Sequence, residues 1–178
     1  MMHPSHIQIA CVTTVVLLGA CTDLLCRRIP NWLTLPALAG ALVMNGLLFG
    51  AASLGTSLLS ALIAGGFFLL FFLAGGMGGG DVKLVAAAAA GVGLARLPSM
   101  LVFTALVGGV MGIALALRHK QLQRTLLNVG TLAVHHRNFG LEPHPELHVQ
   151  STTSLRLPYG IAIAAGTVLS FFAQGSRG

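Results

Sequence analysis

Long apolar runs alternate with short basic connections along this chain of 178 residues, and the length of those runs decides what it can fold into. A helix needs about 20 predominantly apolar residues to cross a bilayer, with roughly 17–25 tolerated. Runs near that size lie at about 7–25, 33–50, 54–76, 98–117 and 157–173, and a shorter alanine-rich run lies at about 82–96. Charged residues make up 8% of the chain, against about 25% in a soluble domain, so a water-soluble fold would leave these runs nowhere to hide. The expected fold is all-α, a polytopic integral membrane helical bundle of about six transmembrane helices, with residues 1–178 as one membrane-embedded domain and the lipid bilayer as its surroundings. The run at 82–96 is the weakest span. Only Arg96 and Pro98 part it from the next one, and a tilted or half-buried helix fits it equally well.

Basic residues favour the cytoplasmic side of a membrane. If the Asp23 end of the first span faces inward, Arg27, Arg28, Lys83, Arg118, Lys120, Arg124, Arg137 and Arg156 lie inside, and only Arg96 and Arg177 lie outside. That division predicts both termini on the outer side. The first run lacks a basic n-region, since the chain starts MMHPSHIQ, and no small-residue cleavage site precedes Asp23, so it is expected to remain as a span. The net charge of +6 does not point to nucleic acid, because the basic residues gather at segment ends and form no single face. Cys11, Cys21 and Cys26 form no CxxC pair and are expected to be reduced packing residues.

Acids are the scarcest resource of the chain. There are four, and two of them, Glu142 and Glu146, fall in the one long polar connection at about 118–156. The only aspartates, Asp23 and Asp81, stand against apolar runs, where an acid costs about 2.5–3.5 kcal/mol at mid-membrane on insertion scales. The inward orientation puts both at the same end of the bundle. The polar connection holds five of the seven histidines. Within it, 122–134 fits a surface helix and 137–154, interrupted by Pro143 and Pro145, fits a loop. His135, His136, His144 and His148 offer no helical ligand pair there, so a solvated loop is expected, and no metal or cofactor is implied.

Asp81 closes the stretch Met77-Gly78-Gly79-Gly80-Asp81-Val82-Lys83. Glycine permits backbone conformations closed to other residues and lets a second chain approach closely. The spacings Gly75/Gly79 and Gly76/Gly80 also suit tight helix contact. A plain glycine-rich turn with Asp81 as the N-cap of the following helix explains the same residues. Asp23 precedes Arg27, Arg28, Ile29, Pro30 and Asn31, and an interfacial acid paired with an arginine explains it structurally. Two such acids at one depth in a chain with no other aspartate favour function. Lys83 could face Asp81 and support its charge, although a snorkelling interfacial lysine is the simpler expectation. The Phe67, Phe68, Phe71 and Phe72 group reads as lipid-facing or packing surface, Tyr159 as either a cleft residue or an interface anchor, and Asn45 as a helix–helix hydrogen bond.

Asp23 with its Arg-Ile-Pro-Asn sequel, the Gly-X-Gly-Asp of Gly78, Gly79, Gly80 and Asp81, and Leu157-Pro158-Tyr159-Gly160 opening the last span resemble the type IV prepilin peptidases. The likeness is to the small CpaA/TadV-type branch that lacks a methyltransferase region. It implies an aspartic endopeptidase of the bacterial inner membrane that removes the short basic leader from type IV prepilins, of the Flp type, on the cytoplasmic side. Asp23 and Asp81 would be the catalytic pair, with Gly78, Gly79, Gly80, Lys83, Pro158 and Tyr159 shaping the site or binding substrate. The larger relatives' zinc-binding cysteine tetrad is missing, so methylation of the product is not expected.

Two other functions use the same residues. A presenilin-like intramembrane protease would cut within a span instead of at the leader junction. A small transporter would use the two aspartates as a proton relay and cleave nothing.

Overall fold

The computed structural model describes residues 6–74, 76–118 and 157–175. Among them are six helices: α1 (His6–Cys26), α2 (Asn31–Phe49), α3 (Ala51–Leu73), α4 (Gly79–Val92), α5 (Leu97–Arg118) and α6 (Tyr159–Gly175). The all-helical class follows the apolar runs closely. α1, α2, α3 and α5 are each long and apolar enough to cross a membrane, and α6 is a shorter apolar helix. The surface helix and loop expected at 122–134 and 137–154, with their histidines, lie outside the described residues.

The expected span at 82–96 takes a different form. α4 begins three residues earlier and ends at Val92, so its 14 residues reach roughly 21 Å, short of a bilayer core of about 30 Å. Within the bundle, α4 is the central helix. It touches all five other described helices, most extensively α3 and α2. Leu84, Val85 and everything from Ala87 to Val92 is buried. The alanine run explains this placement. Lipid tails are as apolar as leucine, so helices associate in a bilayer by close packing of small residues, and a poly-alanine cylinder lets its neighbours come near on every side.

The end of α4 would leave backbone carbonyls bare in an apolar interior, where each costs several kcal/mol. Three other helices supply the donors. Gln8 of α1 donates from Nε2 to the Gly91 carbonyl at 2.7 Å and to Asn45 Oδ1 at 3.1 Å. Ser57 of α3 donates from Oγ to the Ala90 carbonyl at 2.6 Å, and Asn45 of α2 donates from Nδ2 to the same oxygen at 3.2 Å. The helix–helix hydrogen bond expected of Asn45 is therefore present, as part of a larger cap. Gly93, at φ 83°, then turns the chain toward α5 through a conformation that disfavours any side chain.

α5 leans chiefly on α6, and α6 leans on α1. The fully buried core runs through Val16, Leu84, Val85, Met100 and Ile163. The outer surface is apolar nearly throughout, with Leu25, Leu47, Leu62, Val110 and Phe172 all exposed, as expected where lipid replaces water. Phe67, Phe71 and Phe72 join that surface, while Phe68 turns inward and meets Phe67 edge-on at 5.8 Å. The three cysteines are free but exposed on α1. The sequence predicts packing residues, but α1 buries only one narrow stripe, from Gln8 through Val12, Val16 and Gly19 to Ala20, and none of the three lies on it.

Candidate active site

Two helix ends bring the aspartates to one place. Asp23 lies in the last turn of α1, which Arg27 closes in a left-handed conformation (φ 51°), its N–H bonded to the Asp23 carbonyl at 2.8 Å. A left-handed non-glycine residue costs about 1–2 kcal/mol. That conformation turns the chain abruptly through Ile29 and Pro30 into α2. Asp81 lies in the first turn of α4, where its Oδ2 accepts the Gly78 N–H at 3.1 Å. The capping role weighed for Asp81 is thus real but displaced: Gly78 is the cap residue, and Asp81, three residues on, reaches back to it.

Gly80 explains how the two ends come so close. A Cβ at that position would sit 3.0 Å from Ile29 Cβ and 3.1 Å from the Ile29 carbonyl, so the turn after α1 lies directly on the start of α4. Gly76 lies between α3 and α4, so the expected Gly76/Gly80 pair on one helix does not form, and the Gly75/Gly79 pair includes a position outside the described residues. The close approach is made by Gly80 alone, against a connection rather than a helix.

Asp23 and Asp81 both line a single cavity of about 610 Å³. Its walls are Asp23, Arg27 and Arg28 at the end of α1, residues 76–81 before and within α4, Gly112 and Leu115 of α5, and residues 157–159 leading into α6. That volume suits a short stretch of extended peptide. Asp81 is 8% exposed, whereas Asp23 is half-buried. Gly78, Gly79, Gly80, Pro158 and Tyr159 all border the cavity, and Tyr159 lies within electrostatic reach of Asp81. Lys83 turns elsewhere, donating from Nζ to Asn31 Oδ1 at 2.7 Å on the exposed rim.

Sequence reasoning left three contributors aside. Ile29 and Gly112 carry no chemical signal of their own. Gly160 stood in a quoted motif but received no role, yet its N–H donates to Asp23 Oδ2 at 2.9 Å.

Comparison with curated proteins and with solved structures returned no match. A family model does match, over residues 10–113, a stretch that contains both aspartates and the glycines before Asp81. With more than half of its length accounted for in this way, the chain belongs to the type IV leader peptidase family.

Proposed function

We propose that this protein is a membrane aspartic endopeptidase that removes the leader of type IV prepilins, of the Flp type, at the cytoplasmic face of the bacterial inner membrane. The observation that carries the reading is the shared cavity: the only two aspartates of the chain line it together. Family membership supports the peptidase reading and precursors of pilins as substrates.

The chemistry follows from paired carboxylates. The reaction needs one carboxylate as base and the other as a carboxylic acid, so that the pair works with one proton between them. The ionised member takes a proton from a water molecule, and that water's oxygen attacks the scissile carbonyl carbon. The protonated member gives its proton to the carbonyl oxygen. When the tetrahedral intermediate collapses, the C–N bond breaks, the leaving amine takes a proton from the acid that received one from water, and one hydroxyl of the intermediate returns its proton to the other aspartate as the new carboxyl group forms. The glycine stretch beside Asp81 leaves room for an extended substrate backbone, and Pro158 and Tyr159 border the same cavity.

Asp23 stands at the end of α1 and its cavity is bordered by Arg27 and Arg28, which favours a cut at the membrane surface over one in mid-bilayer. The test is to express the chain with a synthetic prepilin carrying a short basic leader, a glycine at the junction and an apolar helix. Leader removal should be complete with the wild-type chain and fall by at least about a thousandfold in Asp23→Asn and in Asp81→Asn. Full processing by either variant would overturn the assignment, and a product cut within the apolar helix would favour the presenilin-like alternative.

A further inference from the structure

We propose that Gly160 is a positioning residue for Asp23, acting through both its backbone N–H and its missing side chain; this rests on the catalytic reading of Asp23 above. The first N–H groups of a helix have no partner within the helix. At the start of α6, Pro158 has no N–H to offer, Tyr159 donates to the Leu157 carbonyl at 3.0 Å, and Ile161 donates to the Pro158 carbonyl at 3.2 Å. The Gly160 N–H goes instead to a side chain 137 residues away in sequence, Asp23 Oδ2, at 2.9 Å. Asp23 therefore caps a helix other than its own.

The space around Gly160 is equally specific. A Cβ there would stand 2.9 Å from Asp23 Cβ, 3.0 Å from Asp23 Oδ2 and 3.2 Å from Ala20 Cα. Two of those three atoms belong to the α1 backbone or its first side-chain carbon, and neither can rotate aside. Any side chain at 160 must push α6 off α1 or swing the Asp23 carboxyl group away from its donor. With glycine, Oδ2 of Asp23 is held by a backbone donor at the cavity that Asp81 also lines.

The cleanest test replaces Gly160 by glycolic acid, which turns its amide into an ester and deletes the N–H without adding an atom of bulk. Purified enzyme would be assayed on the synthetic prepilin. A charge-assisted hydrogen bond lost from a catalytic carboxylate should lower kcat by about tenfold, with KM within about twofold of wild type. Gly160→Ala keeps the N–H but adds the Cβ, and displacement of the carboxyl group should lower kcat by about a hundredfold. In an Asp23→Asn background the ester should cause no further loss of residual activity. An ester variant with wild-type kcat, or one whose defect lies in KM alone, overturns the proposal. If Asp23→Asn abolishes processing while the ester does nothing, only the role of Gly160 fails. If Asp23→Asn processes normally, the catalytic reading falls first.

Discussion

Lys83 stands two residues beyond Asp81, yet its ammonium group donates to Asn31 Oδ1 at 2.7 Å, tying the N-terminal part of α4 to the first turn of α2. Asn31 opens α2 directly after the Ile29-Pro30 connection, and Ile29 is the residue on which Gly80 rests. The bond and the glycine contact therefore hold the same two chain segments together from opposite ends.

Because the bond lies on an exposed rim, its net worth is about 1 kcal/mol or less. Lys83→Met should consequently leave leader removal within about threefold of the wild-type rate at neutral pH. An assay on the synthetic prepilin decides the matter: a loss comparable with that of Asp81→Asn would mean that Lys83 acts on the carboxylate directly. Asn31→Ala should reproduce whatever small effect Lys83→Met has, and combining the two should add nothing.

The cap at the far end of α4 makes a second expectation. Gln8, Asn45 and Ser57 come from three different helices and converge on the Ala90 and Gly91 carbonyls. Interhelical hydrogen bonds in a membrane average about 0.6 kcal/mol and reach about 1.7 kcal/mol. Asn45→Leu should lower the stability of the detergent-solubilised protein by an amount in that range, read as an earlier unfolding midpoint. Gln8→Leu should do the same, and the double variant should lose less than the sum, since Gln8 and Asn45 are bonded to each other at 3.1 Å. Strict additivity would show that the two side chains act apart.

The sequence disclosed the helices through run length, and it disclosed the two aspartates because the chain has no others. It left α4 ambiguous for a definite reason. An alanine run is apolar enough to resemble a span, and only the positions of Gln8, Asn45 and Ser57 in space reveal that its end is capped inside the bundle. No periodicity within α1, α2 or α3 says that those three side chains meet. The same holds for Gly160 and Asp23, whose contact depends on how α6 returns to α1. Asp81 could be read as a helix-start acid from its own neighbours, because capping is local; the approach of Gly80 to Ile29 could not, because it joins parts of the chain about fifty residues apart.

Glycines that look alike in sequence should differ in their tolerance of alanine. At Gly166 a Cβ would stand 2.6 Å from the Thr104 backbone nitrogen and 2.8 Å from its Cα, and it would also strike Oγ1. Those backbone atoms cannot yield without parting α5 from α6. At Gly19 a Cβ would meet only the Leu84 side chain, its two terminal carbons at 2.8 Å and its Cγ at 3.4 Å, and the end of a leucine side chain can turn. Gly166→Ala should therefore cost about 1–3 kcal/mol, in the manner of an overpacked core, and Gly19→Ala clearly less. Unfolding in detergent compares them, and a reversed order would mean that Leu84, fully buried at the bundle axis, has less freedom than its chemistry suggests.

Gly80→Ala should damage catalysis more than stability. Its Cβ would press on Ile29 Cβ at 3.0 Å and on the Ile29 carbonyl at 3.1 Å, and a shift of a few tenths of an ångström would relieve both contacts. That shift, however, moves the segment that follows Asp23 away from the segment that precedes Asp81, so the helix ends bearing the two carboxyl groups part. A misplacement near 1 Å costs about a hundredfold in rate, and a smaller one proportionally less on the free-energy scale, so kcat should fall by about fourfold. Truncating Ile29 to alanine should not restore activity, because Cβ and the carbonyl are the atoms in contact and alanine keeps both. Ile29→Gly removes the Cβ and leaves the carbonyl, so it should restore part of the rate at most. Full rescue by Ile29→Ala would show that the branched end of the side chain, and not the backbone it sits on, sets the distance between the two helix ends.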